Sequence, residues 1–345
     1  MKLSSHQIKL FQKKLLEFYS QNSGDKPWNI DKYPYKIWIF EVVMQQTRME
    51  QGLPYYERLI KKFPTLTHLA NAEEDELFSV WKGLGYYSRA RNLHFTANHI
   101  VKVLKGKFPN SYSELLKLKG VGEYTAAAIA SFAFDENIAV LDGNVHRILS
   151  RFFGLKKTIQ SSTDKKYFQS LANQLLIKGK SASFNQAMMD MGSQICKPQN
   201  PSCENCVFST ECIANIQNRI SELPPPKIRP ILKDRYFYNL FVEYRGKIYL
   251  EKRVANDIWK GLYQGIVQEG PEIDEKFWKE KNIDIIKVEW TDWQKQILSH
   301  QRVMMKIGRL KVNKNQGFPM QFIHKTELEN LAFPRVVSQY FESVK

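Results

Sequence analysis

The stretch from Cys196 to Cys212 reads CKPQNPSCENCVFSTEC and holds all four cysteines of the 345-residue chain. Successive cysteines are separated by six, two and five residues. Four thiolates in so short a loop can hold one iron–sulfur cluster of the cubane type, and a four-cysteine zinc site is the chemical alternative. Zinc ribbons usually carry two well-separated C-x-x-C pairs, whereas this stretch has one, so the spacing favours the cluster. A secreted disulfide framework would spread its cysteines along the chain, so the clustering also favours a reducing cytoplasm.

The chain carries a large excess of basic residues. Its 51 lysines and arginines against 35 aspartates and glutamates give a formal net charge of +16, which favours a partner rich in phosphate, such as nucleic acid. With 43% hydrophobic residues the chain can bury real cores, which excludes global disorder. The sequence has no apolar run of about 20 residues, the length of a membrane span, and it begins MKLSSH, without the apolar core of a signal peptide. We therefore expect a cytoplasmic protein that does not contact a membrane.

The sequence divides into two parts that differ in the spacing of their apolar residues. Up to about residue 220, apolar residues recur at three- and four-residue spacing, which predicts helices. The stretch LPPPKIRP at 223–230 predicts a stiff linker. Beyond it, strand-like segments at 236–244 and 247–253 flank an Arg245-Gly246 turn. Further strands are predicted at 288–290 and 303–312, and short helices at 326–331 and 336–342. We predict a multi-domain chain: an all-α domain at 1–220, a linker at 221–232 and an α+β domain at 233–345.

The cysteine spacing resembles that of the endonuclease III-like, helix-hairpin-helix glycosylases, and in particular that of the adenine DNA glycosylases of the MutY family. The resemblance extends over nearly the whole chain, through the motifs YKIWIFEVVMQQT (35–47), GLGYYSRARN (83–92), LDGNV (141–145) and FNQAMM (184–189). It implies a helical glycosylase domain at 1–220, and one 4Fe-4S cluster held in its loop at 196–212 by Cys196, Cys203, Cys206 and Cys212. It also implies a MutT/Nudix-like domain at 233–345 that recognises 8-oxoguanine.

This resemblance implies an enzyme of base excision repair that hydrolyses the N-glycosidic bond of adenine mispaired with 8-oxoguanine or guanine in double-stranded DNA. We expect it to act as a monomer in the bacterial cytosol, at the nucleoid. Three alternatives stay open: a pyrimidine glycosylase with lyase activity, a non-catalytic DNA-binding module with zinc or a cluster, and a Nudix hydrolase. The last is disfavoured because the Glu-rich magnesium signature of that family does not follow Gly270.

The stretch LKGVG at 118–122 lies between two helical patterns. Alternate glycines let the backbone turn sharply and bring N–H groups within reach of a phosphate, and the next helix would add its N-terminal dipole. An ordinary turn between helices would show the same spacing. By resemblance this is the hairpin that anchors DNA, and its predicted contacts are Lys119, Gly120, Val121 and Gly122.

Two carboxylates and a tyrosine are the predicted catalytic residues. Glu41 is the only charge in IWIFEVVM (37–44), and burial would raise the pKa of its carboxyl, as suits a general acid; a glutamate on a polar helix stripe is the alternative. Asp142 is placed as the N-cap of a following helix. By resemblance, Glu41 protonates the flipped adenine at N7, while Asp142 stabilises the positive charge that develops at C1′. Asn144 and Tyr124 would orient water and the carboxylates.

Tyr124 also stands where the family members that cut the DNA backbone carry a lysine. That lysine forms a Schiff base with the sugar, and a phenol cannot form the imine. The resemblance therefore implies a monofunctional glycosylase, which removes the base and leaves the abasic sugar.

The target base must leave the stack before its glycosidic bond can be reached. By resemblance, polar and aromatic side chains probe the DNA around it, and the residues at matching positions are Gln45, Gln46, Thr47, Leu84 and Tyr86. In the predicted adenine pocket, Trp28 packs on the base and Gln186 hydrogen bonds its edge. Asn29 departs from the arginine often found beside that tryptophan.

The loop Ile297-Leu298-Ser299-His300 matches a Phe-Ser-His motif of the family. The resemblance implies that Ser299 and His300 read 8-oxoguanine opposite the adenine. Leu298 replaces the usual phenylalanine.

Overall fold

The structure is a computed structural model that describes residues 2–22, 32–226, 228, 231–313 and 322–344. Its contacts divide the chain into two compact units, the first formed by Met1–Asn71 with Asn92–Ile228 and the second by Ala72–Arg91 with Arg229–Lys345. No helix in the described part of the chain is long and apolar enough to span a bilayer.

Helices dominate the chain up to residue 216, and the predicted helical organisation of this part is confirmed. The described α-helices are α1 (Ser5–Asn22), α2 (Pro34–Met44), α3 (Met49–Lys62), α4 (Leu66–Asn71), α5 (Glu74–Trp81), α6 (Tyr87–Lys102), α7 (Tyr112–Leu115), α8 (Glu123–Phe134), α9 (Gly143–Phe152), α10 (Ser162–Leu175), α11 (Ser181–Gln194) and α12 (Ile213–Ile216). Helix α5 and the first residues of α6 belong to the second unit.

Helices α2 and α8 pack against each other inside the first unit. Nearly every residue of α2 is buried, and so is the run from Thr125 to Phe132 of α8. The alanines at 126–128 are all buried and fill little space. Helix α2 is therefore covered on all sides, which explains why its sequence has no polar stripe.

A second core lies between α1, α9, α10 and α11. Its largest side chains are Phe11, Phe168 and Phe184, all nearly inaccessible to solvent. Phe11 of α1 stacks on Phe208 of the cysteine loop, with ring centroids 4.5 Å apart. The core thus extends to the underside of the loop that carries the four cysteines.

The second unit is built on a mixed sheet. Its strands are β1 (Lys233–Tyr244), β2 (Lys247–Tyr249), β3 (Glu251–Lys252), β4 (Tyr263–Gln264), β5 (Ile266–Glu269), β6 (Glu289–Trp290), β7 (Gln294–Ile297), β8 (Gln301–Lys311) and β9 (Phe322–His324). The main sheet has the order β6-β8-β1-β2-β9, while β5 pairs with β1, β7 pairs with β8, and β3 and β4 form a separate pair. Strands β1 and β8 run parallel and all other pairs are antiparallel.

Alternate residues of β1 enter two separate cores, as the two-residue period of a strand requires. Phe237 and Phe241 pack in one core with helix α14 (Arg335–Ser343), and Tyr238 and Leu240 pack in the other with Trp278 of helix α13 (Glu275–Glu280). The sheet is therefore covered on both faces, as in an α+β layer.

The predicted α+β architecture of the C-terminal part is confirmed, with shifted boundaries. Strand β1 begins three residues earlier than predicted, and the predicted strand at 247–253 is split into β2 and β3. Arg245 and Gly246 both have positive φ, 46° and 76°, as a tight two-residue hairpin turn requires. The parallel pairing of β1 with β8, which joins residues about seventy positions apart, was not predicted.

Candidate active site

Helix α2 carries Glu41 into the interior of the first unit. Glu41 is only 4% exposed, and its Oε2 atom has no hydrogen-bond partner within the described part of the chain. Burial raises the pKa of Glu41 from 4.5 to about 7; the nearby Tyr124 hydroxyl lowers it, and the charge of Asp142 raises it. A carboxyl group in such surroundings keeps its proton near neutral pH and can act as a general acid.

The packing of α8 on α2 brings Tyr124 beside Glu41. The Tyr124 hydroxyl donates to the sulfur of Met189 at 3.7 Å. Burial, and then the charges of Glu41 and Asp142, raise the pKa of Tyr124 well above its ordinary value. The side chain is therefore a neutral phenol that can donate one hydrogen bond, and it has no amine with which to form an imine.

Asp142 caps the N-terminus of α9, as predicted. Its Oδ1 atom accepts from the Val145 N–H at 2.7 Å, and its Oδ2 atom accepts from Nδ2 of Asn144 at 2.8 Å. Burial raises the pKa of Asp142, while these hydrogen bonds and the charge of Arg147 lower it. The carboxylate is thus held in one orientation by its own helix.

Asn144 connects Asp142 to a buried arginine. Its Oδ1 atom accepts from Nη2 of Arg147 at 2.8 Å. Arg147 also donates from Nε to the Cys196 carbonyl and from Nη2 to the Gly192 carbonyl, both at 2.6 Å. One continuous set of hydrogen bonds therefore runs from the Asp142 carboxylate to the start of the cysteine loop.

A glycine on α11 makes room for this connection. A Cβ atom at Gly192 would lie 2.4 Å from the Cβ atom of Asn144 and 3.1 Å from its Cα. Any larger residue at 192 would displace Asn144, because the nearest obstacle is the base of its side chain and not a flexible end.

The four cysteines line one pocket together with Arg151. Burial raises the pKa of the Cys206 thiol to about 11, and the charges of the other three cysteines add to the rise. Arg151 donates to the Lys197 carbonyl at 2.8 Å and lies 3.4 Å from the Cys196 sulfur. The thiols are thus gathered on one side of the first unit, with an arginine among them.

The donor set is four thiols, which are the ligands of both a 4Fe-4S cluster and a four-cysteine zinc site. Among the residues that the structure describes, no three His, Cys, Asp or Glu side chains are grouped closely enough to hold a metal ion.

The predicted hairpin lies between α7 and α8. Gly120 has a left-handed φ of 80°, and a Cβ atom there would lie 2.6 Å from the Cβ atom of Asn92. Gly122, by contrast, has an ordinary φ of −88° and precedes α8 without any side-chain cap. Lys119 is exposed, with its ammonium group 4.4 Å from the ring centroid of Phe95. Because the N-cap residue of α8 is Gly122, no side chain at that position accepts a hydrogen bond from the first N–H groups of the helix.

The residues after α2 form a turn with one buried anchor. Gln45 donates to the Thr125 hydroxyl at 3.0 Å, which ties the turn to α8. Gln46 is exposed with a positive φ of 55°, and the Thr47 hydroxyl donates to the Gln45 carbonyl at 3.3 Å. Gln46 thus projects from a backbone that Gln45 and Thr47 hold in place.

In the second unit, Tyr86 follows Gly83, Leu84 and Gly85 on a tight loop. Tyr86 is 47% exposed and has a positive φ of 50°. The guanidinium group of Arg89 lies 5.3 Å from its ring centroid, and Leu84 is half-buried. The loop presents one aromatic ring to solvent.

The predicted adenine-pocket residues are only partly described. Trp28 and Asn29 lie outside the described residues. Gln186 is buried on α11, and its amide donates to Asp190 Oδ1 at 2.9 Å. In the second unit, the predicted pair Ser299 and His300 is exposed at the turn between β7 and β8.

Sequence reasoning missed Arg147, Arg151, Met189 and Gly192. The two arginines had a usable signal: they follow Asp142 in a short helix, four residues apart on one face, among apolar residues. Met189 and Gly192 had none, because their roles depend on which helix packs against α8 and α9.

Comparison with known proteins gives the class of this molecule. Residues 39–174 match the HhH-GPD superfamily of base excision DNA repair proteins, and residues 238–343 match the NUDIX domain family. The structure of a thermostable thymine-DNA glycosylase is similar with a TM-score of 0.57 at 29% identity, over 61% of this chain and 97% of that one. A non-covalent endonuclease III–DNA complex has the same fold, with a TM-score of 0.53 at 22% identity, over 63% of this chain and 99% of the other. The chain is thus a helix-hairpin-helix DNA glycosylase joined to a Nudix-like domain.

Sequence relatives give the family within that class. The adenine DNA glycosylase of Buchnera aphidicola subsp. Baizongia pistaciae (strain Bp) is 37% identical over 258 residues, which cover 74% of this chain and 72% of the relative. The adenine DNA glycosylase of Rattus norvegicus is 40% identical over 229 residues, which cover 63% of this chain and 44% of the relative. The chain belongs to the adenine DNA glycosylases, the hydrolases of base excision repair that act on N-glycosyl bonds.

Proposed function

We propose that this enzyme removes adenine paired with 8-oxoguanine or guanine in double-stranded DNA, by hydrolysis and without cutting the backbone. The observation that carries the proposal is Glu41, a buried carboxyl group with a pKa of about 7 and one unpartnered oxygen. An acid that is protonated at neutral pH can give its proton to a purine nitrogen and so improve the leaving group.

The two carboxylates divide the reaction between them. After the adenosine is extruded from the duplex, Glu41 protonates the base at N7 while the N-glycosidic bond breaks. Asp142, fixed by Val145 and Asn144, stabilises the positive charge that develops at C1′. Water, oriented by Asn144 and Tyr124, then adds at C1′, and its proton returns to the Glu41 carboxylate. Tyr124 supplies no amine, so the product is an abasic site on an intact strand.

The remaining predicted residues bind the DNA and the bases. Trp28 and Gln186 line the adenine pocket, and Ser299 and His300 read the opposite base. The extrahelical adenosine leaves a gap that exposed side chains probe, and the backbone N–H groups of the hairpin bind phosphate. Our proposed probing and hairpin contacts are Gln45, Gln46, Thr47, Leu84, Tyr86, Lys119, Gly120, Val121 and Gly122.

We further propose that Cys196, Cys203, Cys206 and Cys212 hold one 4Fe-4S cluster. When bound, the cluster would crosslink the loop at 196–212. Arg147 and Arg151 connect this loop to α9 through their hydrogen bonds to the Cys196 and Lys197 carbonyls. We place the glycosylase domain at 1–220, the linker at 221–232 and the lesion-recognition domain at 233–345, in a monomer of the bacterial cytosol. Iron and zinc analysis of the purified protein tests the cluster: about four irons per chain are expected, and one zinc per chain would contradict it.

Strand scission after alkali tests the reaction. We expect the wild-type enzyme to process a duplex with A:8-oxoguanine and one with A:G, and to leave A:T intact. Glu41→Gln should abolish processing, whereas Glu17→Gln, the same change at an exposed position on α1, should not. Equal processing of A:8-oxoguanine and A:T, or full activity of Glu41→Gln, would refute the proposal.

Borohydride trapping tests the monofunctional mechanism separately. A Schiff base between enzyme and sugar would be reduced to a covalent complex with DNA. We expect no such complex and no strand cleavage before alkali treatment. A trapped complex would show that another amine performs the lyase step.

A further inference from the structure

The lesion-reading pair of the second unit is supported by a buried amide. Ser299 and His300 form the turn between β7 and β8 and are exposed. Gln301, the first residue of β8, is only 5% exposed. Its amide contacts His300 on one side and Arg235 of β1 on the other.

Arg235 is fixed by two carboxylates. Its Nε and Nη2 atoms donate to the two oxygens of Glu269, both at 2.7 Å, and Asp257 accepts at 2.6 Å. These two carboxylates raise the pKa of Arg235 above its ordinary value. Its Nη1 atom lies 3.2 Å from Oε1 of Gln301. A guanidinium group has donors and no acceptor, so the amide oxygen of Gln301 must face it.

The orientation of Gln301 determines the tautomer of His300. With its oxygen toward Arg235, Gln301 presents its amide nitrogen to Nε2 of His300 at 2.8 Å. The amide nitrogen can only donate, so Nε2 accepts, and the neutral imidazole carries its proton on Nδ1.

The tautomer of His300 in turn determines the direction of the Ser299 hydroxyl. Nδ1 of His300 lies 3.1 Å from Oγ of Ser299. Because Nδ1 carries the proton, Ser299 Oγ accepts this hydrogen bond. Its own proton is then free to point toward a base, where it can donate to an acceptor such as the C8 carbonyl oxygen of 8-oxoguanine.

We propose that Arg235 and Gln301 are positioning residues that set the tautomer of His300 and leave the Ser299 hydroxyl as a hydrogen-bond donor to the base opposite the adenine. The part concerning the base rests on the proposed function; the part concerning the tautomer does not. Gln301→Glu is the sharpest test, because a carboxylate keeps its pairing with Arg235 but can only accept from His300. The His300 proton would then move to Nε2, and the Ser299 hydroxyl would turn to donate to Nδ1.

Imidazole nitrogen NMR of the full-length protein at about pH 8 reads the tautomer directly. His300→Asn assigns the signal. We expect the Nδ1–H form in the wild type and the Nε2–H form in Gln301→Glu. An Nε2–H form in the wild type would overturn the proposal, whatever the enzyme's lesion preference.

A double-mutant cycle reads the consequence for DNA. Affinity is measured on a duplex with 8-oxoguanine opposite 2′-fluoroadenosine, which resists excision. We expect Ser299→Ala and Gln301→Glu each to weaken binding about tenfold, the effect of one hydrogen bond. The double variant should have the same affinity as the single variant that binds less tightly, because both changes remove the same donor. Gln294→Glu on the neighbouring strand β7 controls for the added charge and should have little effect.

Additive losses in the cycle would overturn the assignment of Ser299 as the donor. The same affinity is measured on a matched duplex with thymine opposite 2′-fluoroadenosine. Equal binding of the wild-type enzyme to the two duplexes would refute the lesion specificity in the proposed function. The NMR spectrum would still decide the tautomer in that case, so the two failures are distinguishable.

Discussion

Replacing Glu41 by glutamine should stabilise the folded protein at alkaline pH while it abolishes excision. The pKa of Glu41 is 4.5 in the unfolded chain and about 7 in the folded protein. Between these values the folded state keeps a proton that the unfolded state releases. Stability therefore falls as pH rises from about 4.5 to 7 and stays low above 7, whereas below 4.5 both states are protonated and Glu41 contributes no penalty.

The size of this penalty follows from the two pKa values. Each factor of ten in the proton equilibrium is worth about 1.4 kcal/mol, so ionised Glu41 costs about 3 kcal/mol of folding free energy above pH 7. At pH 5 the penalty is below about 1 kcal/mol by the same linkage. Glutamine carries no charge at either pH. The difference in stability between Glu41→Gln and wild type should therefore shift by about 2.5 kcal/mol in favour of the variant from pH 5 to 8.5.

Urea unfolding at the two pH values, followed by helical circular dichroism, measures this shift. The comparison across pH matters more than either value alone, because fitting an amide in place of the carboxyl adds a cost that does not depend on pH. Glu17→Gln on α1 is the matched control and should show no such shift. A difference between Glu41→Gln and wild type that is the same at both pH values would refute the reasoning, since Glu41 would then be ionised in the folded state.

Three further predictions follow from the same site. The single-turnover excision rate should fall as pH rises through about 7, as Glu41 loses its proton; a rate that rises there would assign Glu41 another role. Arg147→Lys keeps the charge but cannot hold both Asn144 and the cysteine loop, so excision should slow about tenfold while DNA affinity changes little. Gly192→Ala should cost about 1–3 kcal/mol in urea unfolding because its Cβ would overlap Asn144; Gly143→Ala, where a Cβ meets open space, should not.

The sequence predicts those features of the site that depend on local pattern. An aspartate before a helical pattern predicted the N-cap at Asp142, and this is a property of a few neighbouring residues. The isolated charge in an apolar run left Glu41 either buried or on a polar helix stripe, and only the family resemblance favoured burial. The apolar patterns that predict helices before residue 220 and strands after the proline cluster also depend only on neighbouring residues.

Features that depend on long-range packing were not predictable. The hydrogen bond from Arg147 to the Cys196 carbonyl joins residues 49 positions apart, and the parallel pairing of β1 with β8 joins distant strands. The need for glycine at 192 is visible only when α11 lies against α9. A sharp turn at the two glycines of 118–122 was predicted, but which of them needs its conformational freedom was not: Gly120 has a left-handed φ of 80°, whereas Gly122 has an ordinary φ of −88°.

The contrast between the two carboxylates supports the division of roles that we propose for them. Burial raises the pKa of both, but what opposes burial differs. At Glu41 the opposing group is one phenol, so the carboxyl is still protonated near neutral pH. At Asp142 three hydrogen bonds, from the Val145 N–H and from the side chain and the N–H of Asn144, oppose burial together with the charge of Arg147, although the net direction of the pKa is still upward. We propose that these additional donors distinguish the charge stabiliser from the acid, and they belong to the same helix that binds the cysteine loop. In this proposal the charge on Asp142 depends on how α9 is capped and anchored, while the acidity of Glu41 depends on how completely α2 is buried.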